Sequence, residues 1–104
     1  MYKTMKQNAN PYLEQKIMSA RPEQLIAYIY EYGANACAQR NADKARRAVQ
    51  LLIDSLNFEV KDISVTFYDV YRYMHHLINR QKFDEARQIF TDLKQTWSRA
   101  FNVQ

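Results

Sequence analysis

Few side chains in this chain are of a type and spacing that could do chemistry, and their placement argues against it. His75 and His76 are adjacent. On a helix they point about 100° apart, so they cannot grip one metal ion together. No Asp, Glu or His follows either of them by three or four positions. Asn79 does, and it is a poor ligand. Cys37 is the only cysteine. On a helix flank it reads as a small buried hydrophobe, not a nucleophile. One glycine leaves no room for a phosphate-cradling loop. The acidic residues fall at caps and surfaces, with no pair suited to acid/base work. The expectation is a protein that is not an enzyme and holds neither metal nor cofactor.

The tyrosines point elsewhere. There are eight in 104 residues. Tyr joins a large apolar ring to a polar tip that tolerates water, so it suits surfaces that are covered at some times and wet at others. The chemistry to expect is recognition, and the question becomes which elements display the rings.

The richest stretch is 62–80, DISVTFYDVYRYMHHLINR. Ile63, Phe67, Val70, Met74 and Leu77 recur at intervals of four and three, the apolar seam of a packed helix. Tyr68, Tyr71, Tyr73 and Ile78 lie beside or beyond that seam. A helix with so much apolar circumference sits centrally in a bundle or keeps a second face for a partner.

Composition sets the frame. With one glycine and two prolines the chain has few turn formers for a β fold, so an all-α domain is expected. Its length suits a single core of four helices. Apolar residues make up 47% and charged residues 25%, as in a globular protein. The apolar runs fall far short of the roughly 18 residues a membrane span needs. No secretion signal opens the chain, and a lone cysteine fits a reducing compartment, so a cytoplasmic protein away from the membrane is expected. The net charge of +4 and pI near 9.3 raise a nucleic-acid reading through Arg40, Lys44, Arg46 and Arg47. The positive charges are spread along the chain, however, and no nucleic-acid partner is expected.

In chain order, residues 1–18 form a polar arm with isolated apolar residues, broken at Asn10-Pro11. The bundle occupies 19–104. A first helix should start at Pro22, which suits the first helical position, and run to about Gln39-Arg40. Its stripe is Leu25, Ile29, Tyr32 and Ala36. Gly33 in mid-helix implies a close helix crossing. Asn41 is a plausible N-cap for a second helix, with Ala45, Val49, Leu52 and Leu56 inward. Asp62 is expected to cap the third helix and Asp84 the fourth. The fourth helix has the seam Ala86, Phe90, Leu93, Trp97 and Ala100. Asp43-Lys-Ala45-Arg46 recurs as Asp84-Glu-Ala86-Arg87, an offset of 41. Two similar hairpins therefore follow each other. Too few repeats are present for a solenoid, so an antiparallel up-down-up-down four-helix bundle with an N-terminal arm is expected.

Several segments then match a known family in order. They are Asn10-Pro-Tyr, Ser19-Ala-Arg-Pro-Glu-Gln-Leu with Tyr30 two turns on, Leu56-Asn57-Phe58, Tyr71-Arg-Tyr73-Met74 and Thr96-Trp97-Ser-Arg-Ala. Together they resemble the flagellar secretion chaperone family FliS. This chain departs from the family pattern at Arg21 before the proline, at Tyr32-Gly33, and in a shorter first hairpin.

The resemblance implies a four-helix bundle whose outer apolar grooves bind the disordered C-terminal segment of flagellin. Binding prevents premature polymerisation and aids flagellar type III secretion, with the export gate as a further contact. Helix-in-groove binding needs exposed apolar anchors on a rigid scaffold. The expected partner-binding residues are Tyr12, Leu13 and Ile17 in the arm, Leu51 and Ile53 off the second helix's stripe, and Tyr68, Tyr71 and Tyr73 beside the third helix's seam. The rival reading is a homodimer or larger self-assembly that buries this surplus surface against its own copy.

Overall fold

The computed structural model describes residues 22–56 and 61–102, and among them every regular element is an α-helix. There are four: α1 (Pro22–Ala38), α2 (Ala42–Asp54), α3 (Lys61–Asn79) and α4 (Phe83–Phe101). The expected arm, its residues Tyr12, Leu13 and Ile17, and most of the second turn lie outside the described residues.

Local chemistry accounts for most boundaries. α1 opens at Pro22 with Glu23 against its positive end. It closes because Arg40 turns left-handed, φ 57°. The Asn41 N–H then donates to the Ala36 carbonyl at 2.9 Å, and the Arg40 N–H to the Cys37 carbonyl at 3.0 Å. These bonds satisfy carbonyls that the helix end would otherwise orphan. Asn41 caps α2 as expected, its side chain accepting from the Lys44 N–H at 3.1 Å.

Two expected caps are displaced. α3 already begins at Lys61, so Asp62 lies inside its first turn. α4 begins at Phe83 behind Lys82, which makes no side-chain cap. Phe83 is buried, and the helix starts two residues earlier than an Asp84 cap would place it. Asp84 therefore sits in the first turn with Glu85, where both still favour the helix dipole.

α1 packs on α2 and α4, and α3 packs on the same two. Along α1 and α4 the paired residues run in opposite senses: Glu23 with Trp97, Glu31 with Lys94, Gly33 with Phe90, Arg40 with Asp84. Gly33 marks the close crossing that its mid-helix position implied. A Cβ there would overlap the Phe90 ring.

The buried stripes are wider than a single seam and rotated from the expected ones. α1 buries Ile29, Tyr30, Gly33, Ala36 and Cys37, leaving Leu25 and Tyr32 half-buried. Packing against two neighbours at once widens the inward arc. On α3 the stripe turns toward Tyr71 and Ile78, with Met74 and Leu77. Ile63, expected inside, is exposed, and Ser64 is buried in its place. On α4 Phe90 is fully buried, Leu93 and Trp97 are half-buried and Ala100 is exposed.

The offset of 41 reaches further than the α2 and α4 motifs. Tyr30 and Tyr71, Ala36 and Leu77, Cys37 and Ile78, Ala45 and Ala86, and Val49 and Phe90 are all buried. The turns repeat as well. Gln81, 41 residues after Arg40, is left-handed at φ 60°. Its N–H donates to the Ile78 carbonyl and the Lys82 N–H to the Leu77 carbonyl. The two hairpins thus repeat a set of buried positions and a turn geometry, though α2 is shorter than α4. No described helix is long and apolar enough to cross a membrane.

Candidate partner-binding surfaces

Tyr71 was expected on the outside, and the structure places it inside. It is 3% exposed, and its hydroxyl lies 2.8 Å from that of Tyr30, also buried. Tyr30 meets Trp97 edge-on, with ring centroids 6.2 Å apart. The Trp97 indole N–H donates to the Glu23 carbonyl at 2.8 Å. Phe67 lies 5.9 Å from Tyr71, and Phe101 4.5 Å from Trp97. These rings form one aromatic chain across the bundle, and Tyr71 is a core member of it. Spacing along α3 could not show this, because α1 supplies the hydroxyl that lets a Tyr go under.

Burial also shifts the ionisable core. The Tyr30 hydroxyl is pushed up, by burial first and then by the adjacent Tyr71. The Cys37 thiol is pushed up to about 11 by burial, with Arg87 pulling slightly the other way. Such a thiol stays protonated and unreactive near neutrality. His75 is lowered by burial and then by Arg46.

The other expected residues are displayed on different faces. Tyr73 is 51% exposed and stacks on His76, centroids 6.4 Å apart. Leu51 is 41% exposed. Ile53 and Tyr68 are half-buried, and the Arg72 guanidinium sits 5.9 Å from the Tyr68 ring centroid. At about 100° per residue, Ile53 shares a flank of α2 with Arg46, and Tyr68 shares a flank of α3 with Asn79. Arg46 donates to Asn79 at 3.0 Å, so Ile53 and Tyr68 belong to the α2/α3 seam. Leu51 and Tyr73 turn to the opposite flanks of their helices. Ile63, Val65 and Phe101 are exposed as well.

A groove between α1 and α4 escaped the sequence reading. It encloses about 530 Å³ and is lined by Glu31, Ala34, Arg87, Phe90, Lys94 and Arg99 among others. Its signal was the small residue Ala34 beside Gly33, which leaves space instead of filling it. Among the described residues no three His, Cys, Asp or Glu side chains gather to hold a metal ion. What these surfaces offer is apolar contact edged by hydroxyl and charge.

No family model, curated protein or solved structure matches the chain.

Proposed function

We propose that this chain is a cytoplasmic, non-enzymatic export chaperone that holds the disordered C-terminal segment of flagellin. The bundle has up-down-up-down order, and its N-terminal arm, residues 1–18, joins the binding surface through Tyr12, Leu13 and Ile17. The observation that carries the reading is the set of large apolar residues left outside a well-filled core: Leu51, Ile63, Val65, Tyr73 and Phe101. A segment that orders on binding loses conformational entropy, and only broad apolar contact offsets that loss. The resemblance of the ordered motifs from Asn10-Pro-Tyr to Trp97-Ser-Arg-Ala to the flagellin export chaperones names the client and the role.

Calorimetric titration of the full chain with a flagellin C-terminal peptide tests it. Saturable binding with a negative heat-capacity change supports the reading. Absence of binding across the soluble range of the peptide removes it. The same exposed residues favour one rival, a homodimer that covers them with a second copy. Light scattering separates the two, since a dimer indifferent to the peptide belongs to the rival.

A further inference from the structure

The two hairpins share buried positions and a turn geometry, yet the furrows between them differ. The α1/α4 furrow corresponds to the α2/α3 furrow through the offset of 41. The residues equivalent to Ala34 and Ala38 of α1 are His75 and Asn79 of α3. Those larger side chains stand on α3, and Arg46 of α2 donates across to Asn79 at 3.0 Å. The α1/α4 furrow has alanines at these positions and is crossed by the Lys94–Glu31 pair; among the described residues it keeps a groove beside Ala34, with Phe90, fully buried against Gly33, as its floor.

Charge differs too. Arg46 is held by Asp43 at 2.8 Å. Its counterpart Arg87 makes no ion pair among the described residues, and neither does Arg99. Lys94 stands where α2 has Ile53, and among the described residues Glu31 is the one acid lining the groove, 3.4 Å from Lys94. The open furrow therefore combines an apolar wall with an excess of cations.

We propose that the α1/α4 groove docks an acidic amphipathic helix of a partner protein. Apolar side chains of that helix seat beside Ala34 and the alkyl stems of Arg87 and Lys94, over a floor of buried Phe90, and its carboxylates face the charged ends of Arg87, Lys94 and Arg99. A second copy of this chain is a poor occupant, because it carries a net charge of +4 and would bring the same cations to the contact. The proposal goes beyond the flagellin reading, and its test uses no flagellin.

The probe is a synthetic helical peptide of about 18 residues, five turns, with Leu on one face and Glu flanking it. Its control replaces every Glu by Lys. Titrations are followed by calorimetry and by amide shifts of the full chain. The acidic peptide should bind about tenfold tighter than the basic one, and its advantage should shrink in high salt. The shifts should fall within 31–38 and 87–99. Arg87→Glu with Lys94→Glu should reverse the preference, and Arg87→Gln with Lys94→Gln, a milder pair for folding, should abolish it. Equal binding of the two peptides refutes the proposal. So do shifts confined to α2 and α3, an unchanged preference in both double variants, or displacement of the peptide by a single-stranded oligonucleotide.

Discussion

The Tyr30 and Tyr71 hydroxyls meet at 2.8 Å inside the bundle, and the two residues are equivalent positions of the repeated hairpins. The contact joins α1 to α3, which do not follow one another around the ring of helices. Each hydroxyl is the other's partner, so neither is orphaned in an apolar setting. Removing one leaves the other buried and unpaired. Tyr30→Phe or Tyr71→Phe should each cost about 1–3 kcal/mol, while the double Phe variant should lie nearer the parent. Chemical denaturation of all four proteins measures this as a coupling energy, and simple additivity of the two losses speaks against a shared hydrogen bond.

High pH tests the same core. Burial raises the pKa values of Tyr30, Tyr71 and Cys37 above their ordinary ones. A group raised in the folded state ionises first in the unfolded chain, so the unfolded state releases protons earlier. Stability is then fully present below the unfolded value and falls as pH rises. For Cys37 the window runs from its ordinary 9.0 to about 11. For the tyrosines it begins near 10.0. The melting temperature should therefore fall above pH 9. Cys37→Ala should flatten the first part of that fall, and the double Phe variant the part above pH 10. A profile unchanged in both variants would place the alkaline sensitivity elsewhere.

Gly33→Ala sets two effects against each other. Helix propensity favours Ala by about 1 kcal/mol. The added methyl, however, would overlap Phe90, a fully buried ring that would have to shift toward the α1/α4 groove. Overpacking should win, with a net loss of about 1–3 kcal/mol. Adding Phe90→Leu should recover part of the loss, because the smaller side chain clears the methyl. Urea midpoints of the single and double variants read the difference, and a stabilised Gly33→Ala would mean that the helices separate easily.

Much of the fold was legible because it rests on local chemistry. Pro22 and Asn41 announce helix starts, and the Ala45 and Ala86 motifs announce a repeat. The repeat was hidden in α1 and α3, where Cys37 faces Ile78 and Ala36 faces Leu77 in the alignment. Only the tyrosine pair is identical among those buried positions. Its inward direction is a property of two helices together, so neither helix's spacing carries it. The α1/α4 groove was illegible for a related reason. A furrow is an absence of side-chain volume, visible only once α1 and α4 are packed together. Leu51 and Tyr73 were found outside as expected, because neither is needed to fill the core.

The left-handed residues offer a stabilising change. Arg40 and Gln81 both occupy a conformation that costs an ordinary L residue about 1 kcal/mol or more. Gln81 is exposed and its side chain is neutral. Gln81→Gly should therefore stabilise the protein by up to about 1 kcal/mol, the relief exceeding the entropy glycine adds to the unfolded chain. Arg40→Gly should gain less, since Arg40 also pairs with Asp84 at 3.6 Å and covers the Phe83 ring. Thermal melts rank the two, and a loss at Gln81→Gly would show that the turn is not strained.

The two tyrosines of Tyr71-Arg-Tyr73 should separate stability from binding. Tyr71 is a core residue, so Tyr71→Ala leaves a cavity and an unpaired Tyr30 hydroxyl, at about 3–5 kcal/mol. A loss of that size is a large share of a small domain's stability, and any fall in partner binding would follow from unfolding. Tyr73 is half exposed, and among the described residues its one ring contact is with His76. Tyr73→Ala should change stability by no more than about 0.5 kcal/mol. If the flagellin peptide uses the outer face of α3, the same substitution should weaken its binding several-fold in calorimetry while the melt stays put. Unchanged affinity in Tyr73→Ala moves the binding surface off that face, toward Leu51 or the arm residues Tyr12, Leu13 and Ile17, whose substitution then decides between them.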